Sequence, residues 1–188
     1  MEQTVKTGYL ELFTGCMYSG KTTKLIDIYN DYREQNVEVC VINYINDDRY
    51  HDELMSSHDQ KMIPCHKVKS IFDVFLKNPD ILENIDVYLI NEGQFFKDIY
   101  DTVKLLVEIH GKTVFVVGLD GDFLMKKFGQ ITDLIPLCDK YEKLYAECSK
   151  CGKPASFTER ITADTTQVII GSSDIYIPVC RNCRVSRS

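Results

Sequence analysis

No stretch of this 188-residue chain approaches the run of about 20 apolar residues that a membrane-spanning helix needs. The opening segment MEQTVKTGYL does not read as a secretory signal. Positive charge is scarce: 22 Lys and Arg stand against 28 Asp and Glu, a net of −6. A chain of that balance is a poor non-specific partner for nucleic acid, whose phosphates are gripped by clustered Lys and Arg. Any anion it binds must be held by a local site. Internal repeats and low-complexity tracts are also missing. The expectation is a cytoplasmic protein with neither a membrane nor a nucleic-acid partner.

What is there begins with cysteine. Eight cysteines without a secretion signal point to a reducing compartment, with some thiols on metal and the rest free. A hydrophobic fraction of 44% is enough for one ordinary core and a small satellite.

Strand and helix signals alternate along the first three-quarters of the chain. Tyr9 to Phe13 reads as a strand ending at Thr14-Gly15. From Gly20 onward, Leu25, Ile28, Tyr29 and Tyr32 recur at helical spacing. Val37 to Ile42 reads as a second strand, and residues 43–62 as a long polar surface loop. Ile71 to Leu76 suggests a short helix closed by Asn78-Pro79. Val87 to Ile90 is a third strand, Val103 to His110 a helix face ended by Gly111, and Thr113 to Gly118 a fourth strand. Tyr141 to Ala146 adds one more. The order implies an α/β fold, a parallel sheet with helices on both faces. After residue 147 the text changes to paired cysteines and Gly/Pro/Thr-rich segments. The expected division is an α/β domain over residues 1–147 and a small cysteine-bearing lobe over residues 148–188.

Residues 15–22, GCMYSGKT, fit the phosphate-loop pattern G-x-x-x-x-G-K-[ST], and they lie between the first strand and the first helix. Glycines let the backbone curl so that N–H groups face phosphate oxygens, and the helix N-terminus adds partial positive charge. Gly15, Cys16, Met17, Tyr18, Ser19, Gly20, Lys21 and Thr22 are therefore the candidate ATP cradle. Lys21 reaches the β- and γ-phosphates, and the Thr22 hydroxyl is a ligand for Mg²⁺. The helix end would lower the Cys16 pKa if it governed that thiol; the simpler reading is a loop filler.

Cys148-x-x-Cys151 and Cys180-x-x-Cys183 form two knuckles separated by 28 residues. Four thiolates suit tetrahedral Zn²⁺, and with no position left open the zinc is structural. Lys150, Lys153, Arg181 and Arg184 offset part of the thiolate charge. Cys40 reads as a small core residue. The four histidines show no metal spacing.

A third feature is INEGQFF, residues 90–96. A buried strand that delivers a carboxylate pair is one way to hold Mg²⁺ beside a nucleotide; here Asn91 is an amide and Glu92 alone is an acid.

Together these pieces resemble the type II thymidine kinases. The resemblance runs through TGCMYSGKT at 14–22, DDRY at 47–50, SHD at 57–59, NEGQFF at 91–96 and LDGDF..KKFG at 119–129. It continues through FTER at 157–160, IIGSSDIY at 169–176 and both cysteine pairs. It implies transfer of the γ-phosphoryl of ATP to the 5′-OH of thymidine or deoxyuridine, with Mg²⁺, in nucleotide salvage. Glu92 is implied as the general base, with Asp47, Asp48, Arg49, Asn91 and Gln94 on the ATP side. Phe123 is implied to stack on the thymine, and Met17, Phe95 and Phe128 to line the nucleoside pocket. Gln167, Val168, Ile169, Ile170 and Gly171 are implied to form a covering loop that reads the base edge, with Tyr176 behind it. The family also implies a homotetramer inhibited by dTTP. One position departs from its pattern: Asn91 stands where the family usually has the Asp that orients Mg²⁺ through water.

Overall fold

The computed structural model describes residues 6–45, 54–56, 61–162 and 175–185. Six parallel strands form its central sheet: β1 (Tyr9–Gly15), β2 (Val39–Tyr44), β5 (His66–Val68), β6 (Val87–Ile90), β7 (Thr113–Gly118) and β8 (Lys140–Leu144), in the order β5-β2-β6-β7-β1-β8. The four central strands read as near-continuous apolar runs because both faces of the sheet are covered.

Alternate residues feed two separate cores. Leu10, Leu12, Cys40, Ile42, Tyr88, Ile90, Val114 and Val116 point to one face. There they meet α2 (Phe72–Lys77) through Val74 and Phe75, α4 (Ile99–Lys104) through Ile99 and Val103, and the 3₁₀ segment Ile131–Leu137 through Ile131 and Leu134. Phe13, Val41, Val87, Leu89, Phe115 and Val117 point the other way, onto Leu25 and Ile26 of α1 (Lys21–Glu34). Helices on both faces of a parallel sheet are thus observed as the strand–helix alternation predicts.

The end of α1 explains one shifted boundary. Asn36 adopts the left-handed φ of 58° just past the helix, and the Val37 N–H donates back to the Tyr32 carbonyl at 3.0 Å. That is how a helix satisfies its last carbonyls. Val37 is therefore spent on the cap, and β2 starts at Val39 rather than Val37.

The stretch read as a polar loop holds more structure than expected. β3 (Leu54–Ser56) pairs antiparallel with β4 (Met62–Pro64), and Met55 and Ile63 are buried under the α1 face. Pro79 does more than close α2: it sits at the first turn of α3 (Pro79–Asn84), where its missing N–H costs nothing. The helix begun by α4 widens into a π-helical turn at Leu105–Ile109 before Gly111.

The C-terminal segments form a third, smaller core. β9 (Ala146–Glu147) pairs with β10 (Pro154–Ala155), and β11 (Phe157–Arg160) with β12 (Tyr176–Val179), followed by α5 (Arg181–Val185). Ala146, Cys148, Ala155, Val179 and Cys180 pack together, and Cys16 of the phosphate loop packs with them. Among the described residues, no helix is long and apolar enough to cross a membrane.

Candidate active site

The phosphate loop, Asn91 and Glu92 all follow the C-terminal ends of sheet strands, where open parallel sheets bind their ligands. Two loop glycines are required for separate reasons. A Cβ at Gly15 would lie 2.5 Å from the Leu144 carbonyl oxygen and 2.6 Å from Ser19 Oγ. Gly20 holds φ 80° at the start of α1, which disfavours side chains. No side chain caps α1, so its first N–H groups remain available to an anion.

Lys21 is half-buried and folded over the loop, donating to the Cys16 carbonyl at 2.6 Å and to Ser19 Oγ at 3.3 Å. Desolvation lowers its pKa, opposed by the negative charges of Glu92 and Asp120. Cys16 moves the opposite way from a helix-activated thiol. Its Sγ is buried and donates to the Ala155 carbonyl at 3.4 Å, and burial raises its pKa despite the pull of Lys21. It is the loop filler of the simpler reading. Cys40 is likewise a core thiol, pushed up to about 12 by burial.

Glu92 sits at φ 55°, a left-handed conformation that a non-glycine residue adopts at a cost. The 3₁₀ turn Gly93–Phe95 that follows it holds this geometry, with the Phe95 N–H donating to the Glu92 carbonyl at 3.0 Å. The buried Gln94 fixes the carboxylate: its Nε2 donates to Glu92 Oε2 at 2.5 Å, while its Oε1 accepts from the Leu119 N–H at 2.9 Å. Since the backbone N–H can only donate, the amide has one orientation and its NH₂ must face the carboxylate.

Asn91 is buried at the end of β6 beside the phosphate loop. The Thr22 hydroxyl lies 3.5 Å from Asn91 Oδ1, and Asn91 Nδ2 donates to Asn43 Oδ1 at 3.0 Å. A hydroxyl oxygen and an amide oxygen side by side, with a carboxylate on the next residue, suit a hard, partly hydrated cation such as Mg²⁺.

Aromatic side chains gather next to this end of the sheet. Phe95 stacks on Tyr44 with ring centroids 5.2 Å apart and meets Phe128 edge-on at 5.3 Å. Phe123 is half-buried, and the Arg160 guanidinium lies 3.8 Å from its ring centroid. Arg160 also donates to the Tyr176 hydroxyl, so Phe123 and Tyr176 are brought together through one arginine.

The four knuckle sulfurs lie within 4.8 Å of one another. Backbone N–H groups, that of Cys180 foremost, lower the Cys148 pKa to about 6, while hydrogen bonds to Cys151 and Cys180 push Cys183 up to about 12. Sulfurs this close cannot all ionise without a cation, which is the environment a structural Zn²⁺ satisfies. The lobe grips the phosphate loop directly: the Met17 N–H donates to Thr158 Oγ1 at 3.0 Å. It also holds the Phe123 segment, through Arg184 Nη2 donating to the Phe123 carbonyl at 3.0 Å.

The structure thus gathers the phosphate loop, Asn91, Glu92, Gln94, Phe95, Phe123, Phe128 and Tyr176. Asp47, Asp48, Arg49 and Gln167 to Gly171 lie outside the described residues. Sequence reasoning gave no role to Asn43, Thr158, Arg160 or the Lys143–Asp120 ion pair (2.5 Å). Asn43 had a signal, an amide inside the apolar run VCVINY; Thr158 and Arg160 lay within a quoted motif without an assignment.

A loop built for phosphates at the end of β1, with a carboxylate held at the end of β6 two strands along the sheet, defines a class: the P-loop kinases. Which kinase follows from the chain's relatives. The thymidine kinase family model matches residues 8–184, and the chain belongs to that family. It is 38% identical to the thymidine kinase of Sheeppox virus (strain KS-1) over 176 residues, 94% of this chain and 96% of the viral one. It is 39% identical to the Variola virus thymidine kinase over 178 residues, 95% and 97% of the two chains. Thymidine kinase a of Arabidopsis thaliana is 36% identical over 176 residues, 93% of this chain and 74% of the plant protein.

Proposed function

We propose that this kinase phosphorylates thymidine at its 5′-OH with ATP, giving dTMP and ADP. The observation that carries the reading is the Glu92 carboxylate, locked by Gln94 beside the phosphate loop. The 5′-hydroxyl gives its proton to Glu92 as its oxygen bonds to the γ-phosphorus, and the bond from that phosphorus to the β–γ bridging oxygen breaks, releasing ADP. Gln94 acts here by positioning Glu92. Lys21 and the loop N–H groups hold the phosphates. Thr22 and Asn91 are the residues that would hold Mg²⁺, which supplies charge neutralisation on the phosphate oxygens when bound. Phe95, Phe128 and Met17 line the nucleoside side, with the segment 167–171 as its cover and residues 148–188 as a zinc lobe. Assay of labelled thymidine with MgATP tests the whole reading; phosphate transfer to no nucleoside would end it. The same assay with added dTTP tests feedback inhibition, and solution mass tests the homotetramer.

Phe123→Ala is expected to weaken thymidine far more than ATP. One face of the ring is taken by Arg160, so the base stacks on the other. Base–aromatic stacking is worth about 1–3 kcal/mol, so the KM for thymidine should rise about tenfold or more. An equal rise in both KM values would make Phe123 a packing residue.

A pH dependence follows from Lys21. Its pKa is lowered in the free protein, and bound phosphates raise it again. Between those two values binding takes up a proton, so affinity falls as pH rises through that window and is flat, for this group, below it. Titrating a non-hydrolysable ATP analogue across alkaline pH checks this. The alkaline fall should vanish in Lys21→Ala; its persistence would assign it to another group.

A further inference from the structure

Asn43 is the penultimate residue of β2, the strand next to β6, and lies beside Asn91; both amides are buried at 1% and 2% exposure. We propose that Asn43 is a positioning residue: its side-chain oxygen sets which end of the Asn91 amide faces Thr22 and the metal position. The inference rests on the proposed role of Asn91 toward Mg²⁺.

Asn43 Oδ1 accepts two N–H groups, Tyr44 N at 3.0 Å and Asn91 Nδ2 at 3.0 Å. The first is backbone and can only donate. It therefore fixes the Asn43 amide with oxygen inward, and a flipped Asn43 would set donors against donors. With that oxygen fixed, the group of Asn91 that faces it must be the NH₂. Asn91 Oδ1 is then left on the Thr22 side, where a metal-bound water needs an acceptor. The arrangement leaves Asn43 Nδ2 buried with no hydrogen-bond partner among the described residues. Buried donors are rarely left so. The unpartnered donor is the cost of presenting Oδ1 to Asn91.

The pair also accounts for the neutral residue at 91. A carboxylate there would turn an oxygen onto Asn43 Oδ1, acceptor against acceptor. Relief would require flipping Asn43 and stranding the Tyr44 N–H. Asn91 and Asn43 are matched to each other, and Asn91→Asp alone would lose through this contact part of what its charge gains at the cation.

The test uses the full-length, zinc-loaded protein with a non-hydrolysable ATP analogue, and reads Mn²⁺ binding by electron paramagnetic resonance, so that turnover plays no part. Asn91→Ala and Asn43→Ala should each weaken Mn²⁺ about tenfold, the size of effect typical of groups that orient a metal's ligands. In the Asn91→Ala background, Asn43→Ala should add nothing. Asn43→Asp keeps an acceptor for both N–H groups and should hold Mn²⁺ at least as tightly as the parent. If Asn91→Ala weakens Mn²⁺ and Asn43→Ala does not, or if the two losses add, Asn43 does not act through Asn91 and the proposal fails while the role of Asn91 stands. If Asn91→Ala has no effect, the metal role of the strand end fails, and this proposal with it. Should Asn43→Ala not fold, Asn43→Asp decides, and a severalfold loss in that variant overturns the proposal.

Discussion

Glu92→Gln is expected to lose between about 10² and 10⁴ of turnover while nucleotide binding stays near the parent level. The substitution is close to isosteric. Its new amide can present Oε1 to the Gln94 Nε2 that now meets the carboxylate, so the local geometry survives. What disappears is the ability to take a proton. Steady-state kcat and the Kd of a non-hydrolysable ATP analogue separate the two effects. A near-normal kcat would remove Glu92 from the role of base. Gln94→Ala gives a graded comparison. It removes the tether but leaves the acid, so kcat should fall, by less than in Glu92→Gln, while the Kd of the ATP analogue stays near the parent level. A kcat equal to the parent's would leave Gln94 a packing residue.

How legible this site was depends on the distance over which each residue acts. The phosphate loop and the strand and helix around it form a contiguous stretch, so motif and periodicity sufficed. The strand end at Asn91 and Glu92 was readable for the same reason. The Val37 boundary was not, because the strand-like text VEVCVI says nothing of an N–H already claimed by Tyr32. The hairpin of Leu54–Ser56 and Met62–Pro64 has strands of three residues, too short to show a period, and the buried Met55 belongs to an apolar pair, Leu54-Met55, flanked by polar residues. Gln94 and Asn43 act through hydrogen bonds to Leu119 and Asn91, 25 and 48 positions away. No local pattern encodes such pairs. Cys16 shows how context reverses a local expectation: the helix end would lower its pKa, but a lobe some 140 residues later buries it, and desolvation wins.

Zinc removal should cost both substrates. The lobe's fully buried apolar core is small: Ala146, Ala155, Val179, Cys148 and Cys180, with Phe157, Ile177 and Cys183 half-buried against them and Cys16 borrowed from the phosphate loop. Burying a valine side chain is worth about 1.5–3 kcal/mol, whereas a four-thiolate zinc contributes about 10–16 kcal/mol in comparable small modules. A zinc held by these four thiolates would therefore dominate the stability of this lobe, and Cys180→Ser, or stripping with a strong chelator, is expected to unfold it. The sheet and its two cores contain none of the four ligands and should keep their far-ultraviolet signature. The consequences spread through three bonds. Met17 loses the Thr158 hydroxyl, Cys16 loses the Ala155 carbonyl, and the Phe123 carbonyl loses Arg184. The first two loosen the phosphate loop and the third loosens the aromatic that meets the base. ATP affinity should fall severalfold and thymidine affinity by more, since the nucleoside side also loses Tyr176. Metal analysis should find one zinc per chain in protein purified without added metal. Fully active protein with substoichiometric zinc would defeat the structural role of the metal. An ATP affinity untouched by zinc loss would show instead that the lobe's grip on Cys16 and Met17 carries no energetic weight.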